Sequence, residues 1–200
     1  APVIDEIARR FRYEKETIRK IAGELKALLE KPSEADFIAA CRAAQDRLGE
    51  LGARAAASKT TVEHVPFPDF EAAVVMPANC AESQSAVLYL HGGGYTAGSL
   101  AYSLGFGSVL AVHCNLPVLC AAYRLAPEHP FPAALEDASR AYLCLLNAGL
   151  RPENISLVGE SAGGGLICAL CLWLREHGLP LPGRIAVLSP WVDLTLSGRS

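Results

Sequence analysis

Residues 154 to 165 read N-I-S-L-V-G-E-S-A-G-G-G. Gly159-Glu160-Ser161-Ala162-Gly163 fits G-x-S-x-G, a pattern whose chemistry depends on its setting: a strand, a sharp turn with the serine at its tip, and a helix. That setting is present. Ile155, Leu157 and Val158 form the apolar run of a buried strand, and Leu166 to Leu174 continue as an apolar helix. Gly159 and Gly163 flank the serine where a Cβ would crowd the turn. Such a turn lifts the Ser161 hydroxyl above the sheet and aims the first N–H groups of the helix at the same spot, where they favour negative charge. Taken alone, the run could equally be a glycine-rich strand-to-helix turn with no chemistry. About seventy residues upstream, the apolar run Ala86 to Leu90 ends in His91-Gly92-Gly93-Gly94-Tyr95. Attack of a serine on a carbonyl needs a nucleophile, a base for its proton, and donors for the oxyanion. Ser161 is the candidate nucleophile. The glycine loop bares backbone N–H groups with no side chain in the way, and the N–H of Ala162, after the serine, is the expected companion donor. Each run follows its own buried strand in the expected order, which makes the pair far more specific than either run alone.

The remaining elements must bring these two runs together. From Asp5 to Glu30, Ile4, Ile7, Phe11, Ile18, Ile21, Leu25 and Leu28 fall at helical spacings, with Glu14 interrupting the stripe and Lys31-Pro32 ending it. Ser33 and Asp36 predict a capping box for a second helix over Glu34 to Leu51, with Phe37, Ile38, Cys41, Ala44 and Leu48 on its packed ridge and Gly52 closing it. These two helices precede every strand. They are expected to be either a hairpin packed on the side of the fold or a lid. Thr60 to Phe67 and Glu71 to Val75 predict a hairpin at a sheet edge. Tyr102 to His113 is an expected helix and Val118 to Tyr123 a buried strand. A proline-rich loop, Arg124 to Pro132, leads into a helix over Ala133 to Asn147. Ile185 to Ser189 is the last expected strand, followed by Trp191-Val192-Asp193-Leu194. Strands alternating with helices argue an α/β fold with a mostly parallel sheet. No internal repeat or low-complexity tract is present.

Composition narrows the partners. The 200 residues are 51% apolar and 20% charged, which excludes a disordered chain. A net charge of −3 without a large basic block argues against nucleic acid. The first ten residues, A-P-V-I-D-E-I-A-R-R, lack the apolar segment of a signal peptide. The longest apolar run, Ala162 to Leu174, is too short and glycine-rich for a membrane span. Seven scattered cysteines, including the pair Cys168 and Cys171, lack further ligands for a metal site. They read as reduced core cysteines in a cytoplasmic protein.

Four stretches together resemble the hormone-sensitive lipase family of α/β-hydrolase esterases: H-G-G-G-Y at His91, Y-R-L-A-P-E-H-P-F-P-A-A at Tyr123, G-E-S-A-G-G at Gly159 and S-P-W-V-D-L-T at Ser189. The resemblance covers Thr60 to Ser200. It implies an α/β-hydrolase fold, with residues 1–52 as an N-terminal helical cap and residues 53–200 as the core. It also implies carboxylic-ester hydrolysis by a Ser, Asp/Glu and His triad, with no metal and no cofactor; the apolar stripe of the first helix suits short- to medium-chain acyl or aryl esters, and a core-facing stripe explains it equally well. Gly93, Gly94 and Ala162 match the family's oxyanion hole, while His91, Gly92, Gly159, Glu160 and Gly163 match motif positions that support it. The family more often has Asp where Glu160 stands. His91 is expected to orient the glycine loop rather than act as base, because the fold's order is Ser, then acid, then His. His64, His113 and His129 also precede Ser161 and suit loop or surface positions. His177 lies sixteen residues along the same helix, on the order of 24 Å away at about 1.5 Å per residue, and suits a helix C-terminus before Gly178. Arg124, Glu128 and Asp137 are expected to hold the proline-rich loop by ion pairs. Asp193 is a minor candidate for the acid, which the family resemblance places further on. The triad acid and histidine are therefore expected beyond Ser200, on strands that would complete the sheet at its C-terminal edge. A second chain completing the sheet is the alternative. By this reading the 200 residues alone are inactive, and a small-molecule ester is the partner of the whole. Two rival readings remain: a non-catalytic receptor on the same fold, like the plant gibberellin receptors, and an inactive truncated remnant.

Overall fold

The computed structural model describes residues 33–80, 83–195 and 197, together with residues 19, 20 and 23. Apart from these last three, the helix expected over Asp5 to Glu30 lies outside the described residues.

The first described helix, α1, spans Glu34–Ala56, and Ser33 caps it: its Oγ accepts from the Asp36 N–H at 3.2 Å and donates to the Asp36 carboxylate at 2.6 Å. The helix does not close at Gly52 but runs one turn further. Gly52 is there for packing. A Cβ on it would sit 2.5 Å from the Gly105 carbonyl oxygen, and one on Gly49 would overlap the Ala101 carbonyl. Both partners lie on α2, Leu100–Cys114. The two helices therefore meet backbone to backbone, and the helix-propensity cost of glycine, about 1 kcal/mol, is accepted for that approach. The expected ridge is only partly right: Ala44 is buried with Gly49, Gly52 and Ala56, while Phe37, Ile38, Cys41 and Leu48 are half-buried.

Six strands follow: β1 (Thr60–Val65), β2 (Glu71–Pro77), β3 (Ala86–Leu90), β4 (Val118–Ala122), β5 (Ile155–Glu160) and β6 (Arg184–Leu188). They form one sheet in the order β1-β2-β4-β3-β5-β6. The hairpin β1–β2 is antiparallel and lies at an edge, as expected, and β2 joins β4 antiparallel. The pairs β4–β3, β3–β5 and β5–β6 are parallel.

Helices cover both faces. Ala86, Leu88 and Leu90 of β3 pack with Leu119, Ile155 and Leu157 against α3 (Ala133–Asn147) and α4 (Ala162–Glu176), while Val87 and Tyr89 pack with Val75, Val118 and Cys120 against α2. Every side chain of β3 is buried, so the strand has no polar face and reads as a continuous apolar run. Full burial contributes about 1.5–3 kcal/mol for each leucine. The other edge is different. On β6, Ile185 and Leu188 are about half exposed, and Val192 and Leu194 beyond it are more so.

This winding brings the two motif loops together. The chain leaves β3 for α2 on one face and leaves β5 for α4 on the other. Adjacent parallel strands whose following helices diverge open a crevice at their C-terminal ends. The loops after β3 and β5 line that crevice, and Leu90 pairs directly with Gly159.

Candidate active site

Ser161 stands at φ +51° and ψ −119°, between β5 and the first residue of α4. That region is costly for a residue with a Cβ, on the order of 1–3 kcal/mol, and persists only where its surroundings hold it. Three hydrogen bonds do so. The Ser161 N–H donates to the Leu188 carbonyl at the end of β6 at 2.9 Å, and its own carbonyl accepts from Gly165 at 3.1 Å and Trp191 at 2.8 Å. The expected reason for glycine on either side holds as well: a Cβ on Gly163 would overlap the Leu90 carbonyl, and one on Gly159 would stand 2.7 Å from it. Ser161 is exposed, while Ala162 beside it is buried.

The glycine loop turns beside this serine. Gly93 has φ +121° and Gly94 φ +63°. A Cβ on Gly93 would overlap the Ala97 carbonyl and lie 2.9 Å from Gln45 Nε2, so only glycine fits there. The Gly93 carbonyl accepts from the N–H groups of Thr96 and Ala97, at 3.1 and 2.9 Å. Among the described residues, no backbone carbonyl takes the N–H of Gly93, Gly94 or Ala162. Three donors thus remain available, one of them in the first turn of a fifteen-residue helix whose dipole favours negative charge there.

His91 is fully buried, stacked on Tyr123 with ring centroids 4.2 Å apart and planes 7° from parallel. Its Nδ1 lies 2.7 Å from the Gly92 carbonyl, which can only accept, so Nδ1 carries the proton. Burial pushes its pKa down to about 4, which keeps the ring neutral near pH 7. The Tyr123 hydroxyl donates to the His91 carbonyl at 2.6 Å. His91 therefore sits in the loop's foundation.

Glu160 points back from the serine into the fold. Its Oε1 accepts from the Gly92 N–H at 2.7 Å, from Tyr89 at 3.0 Å and from Tyr102 at 3.1 Å, tying together β3, the glycine loop and α2. Burial raises its pKa, and these hydrogen bonds pull the other way. Its Oε2 is buried with no hydrogen-bond partner among the described residues.

The other candidates lie elsewhere. Asp193 folds its carboxylate onto Thr195 and Ser197, accepting from both backbone N–H groups and both hydroxyls. Hydrogen bonds from Ser197, then Thr195, hold its pKa down at about 2. His64, His113, His129 and His177 are exposed. His177 ends α4, with Nδ1 at 2.8 Å from the Trp173 carbonyl and its ring stacked on Trp173. Among the described residues no imidazole hydrogen-bonds the Ser161 hydroxyl, and none form a metal-binding cluster.

The ion pairs expected at the proline-rich loop are present. Arg124 does bind Asp137, through Nε and Nη2 at 2.8–3.1 Å, and Glu136 at 3.0 Å. Glu128 holds the loop through a different element, pairing with Arg42 of α1 at 2.7 Å. Position in the loop alone could not show that a helix 86 residues earlier supplies its partner. Arg42, Gln45, Tyr89 and Tyr102 also support the loop and did not stand out in the sequence, whereas Tyr123 heads the Y-R-L-A-P-E-H-P stretch. Next to Tyr95 lies an apolar cavity of about 230 Å³, lined also by Phe131, Leu135, Leu166, Ala169 and Leu194.

The family model described as the alpha/beta hydrolase fold matches residues 87–200. This chain belongs to the α/β-hydrolase family. An acetyl-hydrolase from Streptomyces hygroscopicus is 41% identical to it over 157 residues, 78% of this chain and 50% of that protein. A solved esterase of the bacterial hormone-sensitive lipase family superposes with a TM-score of 0.73 at 32% identity, covering 93% of this α/β-hydrolase and 61% of its own chain. The esterase EstE5, in its crystal structure with PMSF, gives a TM-score of 0.76 at 36% identity, covering 90% of this chain and 60% of its own. This α/β-hydrolase spans about half the length of the curated relatives it matches. Among its described residues, no helix is long and apolar enough to cross a membrane.

Proposed function

We propose that this chain carries the nucleophile and the oxyanion hole of a serine esterase acting on short- to medium-chain acyl or aryl esters. The observation that carries the proposal is the strained φ of Ser161 held against a loop with unpaired Gly93 and Gly94 N–H groups. Ser161 Oγ attacks the ester carbonyl carbon. The carbonyl π electrons move onto oxygen, where the N–H groups of Gly93, Gly94 and Ala162 hold the charge. Collapse expels the alcohol and leaves an acyl-serine, and water then repeats the sequence to release the acid. The proton of Ser161 needs an imidazole beside Oγ, and no histidine among the described residues is hydrogen-bonded to it. In this reading the base is a histidine outside the described residues, oriented by a carboxylate, as in other serine hydrolases. The acetyl-hydrolase name of the Streptomyces relative suits a small acyl group.

Ser161→Ala in the full-length protein tests this. Hydrolysis of p-nitrophenyl acetate and butyrate should fall by at least ~10³-fold, with the unfolding midpoint unchanged. A sulfonyl fluoride such as PMSF should add its mass to wild type and not to the variant. A wild type that cleaves no ester and takes up no label overturns the reading.

A further inference from the structure

We propose that Arg42 of α1 is a positioning residue for the oxyanion hole, an inference that rests on the esterase reading above. One guanidinium joins three segments. Its Nε donates to the Thr96 carbonyl at 2.8 Å, in the turn that closes the glycine loop. Its Nη2 donates to the Ala126 carbonyl at 3.3 Å, in the proline-rich loop. Nη1 and Nη2 form a two-pronged pair with Glu128 at 2.8 and 2.7 Å. The loops are also joined directly, since the Ala126 N–H donates to the Tyr95 carbonyl at 2.8 Å.

The link from Arg42 to the site runs through two peptide planes, Thr96–Ala97 and Gly93–Gly94. Arg42 holds the Thr96 carbonyl. The N–H groups of Thr96 and Ala97, and more weakly the Thr96 hydroxyl at 3.4 Å, all donate to the Gly93 carbonyl. A trans peptide is planar, so the Gly93 carbonyl and the Gly94 N–H point in opposite directions from one rigid unit. Fixing the carbonyl aims the N–H. Glycine at φ +121° and φ +63° has no side chain to hold this orientation itself, so the orientation comes from outside the loop. The base of the brace is firm. Around Arg42, α1 packs backbone to backbone on α2 at Gly49 and Gly52, Asp46 accepts from Ser99, the N-cap of α2, and Gln45 abuts Gly93. A lysine could keep the charge opposite Glu128, but it lacks the flat fork that reaches two carbonyls and a carboxylate together.

The test uses Arg42→Lys, Arg42→Met and Glu128→Gln in the full-length protein. A misaimed donor should cost part of the loss seen when a donor is removed. Arg42→Lys and Arg42→Met should therefore lower kcat by about 10- to 100-fold, with KM within about threefold of wild type. Glu128→Gln keeps both carbonyl bonds and should stay within about threefold of wild type. Hydrogen exchange at the Thr96 and Ala97 amides should quicken by about tenfold in the Arg42 variants, while amides of β3 keep their rates. If Arg42→Met fails to fold, Arg42→Lys carries both readouts. Wild-type kcat in Arg42→Lys, or unchanged exchange at Thr96 and Ala97, overturns the proposal. A wild type that cleaves no ester sinks the esterase reading instead, a Ser161→Ala protein that still cleaves esters removes Ser161 as its nucleophile, and in either case amide exchange judges the brace on its own.

Discussion

At the scale of single residues, the site is built from conformations and environments that cost stability. Ser161 sits where a Cβ is strained, and a glycine there would not be. Ser161→Gly should therefore unfold at higher denaturant than Ser161→Ala, by about 1 kcal/mol; equal midpoints in urea titrations would mean the backbone is unstrained. His91 gives a pH signature. Its ordinary pKa is 6.5, and burial takes it to about 4 in the folded state. Above 6.5 both states are neutral and the group contributes nothing. As the pH falls from 6.5 to 4, the unfolded chain binds a proton that the folded one refuses. Stability is therefore lost over that window, by about 3 kcal/mol at about 1.4 kcal/mol per pKa unit. Glu160 acts in the opposite sense. Its pKa is raised above 4.5, so its share is present below 4.5 and fades as the pH rises through the folded value. The His91 ring should titrate near pH 4 by NMR, and a midpoint near 6.5 would show that water reaches it.

At the scale of elements, helices are placed as much by what they lack as by what they carry. In an exposed helix, Gly52→Ala would add about 1 kcal/mol of stability. Here the new methyl would meet the Gly105 backbone at 2.5 Å, so the variant should instead lose at least about 1–3 kcal/mol, as overpacked sites do. A gain in thermal midpoint would mean that α1 is not seated on α2. This contact also explains where the sequence was readable and where it was not. Strand β3 and helix α3 run over the expected residues, because their signals are local: an apolar run, or a helical stripe after a proline. Gly52 reads locally as a stop, and only the presence of α2 makes it a contact. Ser161 and the glycine loop were legible because each needs its own strand and turn in the chain nearby. The groups that aim them were not. Tyr102 meets Glu160 across 58 residues and Arg42 meets Glu128 across 86, separations that leave no periodicity to read.

At the scale of the whole described fold, the sheet grades from a sealed centre at β3 to an open margin at β1. β3 is flanked by β4 and β5 and covered on both faces, whereas β1 has one neighbour and mostly exposed side chains. Native-state hydrogen exchange should show β3 and β4 amides opening only with global unfolding and β1 amides opening at lower free energy. Uniform protection across the sheet would contradict that grading. The site stands between these regimes. The glycine loop grows from the sealed centre, but the backbone of Ser161 is held by Leu188 and Trp191, at the exposed end of the sheet. Ser161 can keep this backbone conformation only while β6 is docked. Covalent labelling of Ser161 would then double as a gauge of β6 docking, losing its signal when β6 detaches from β5 even if the rest of the fold stays intact.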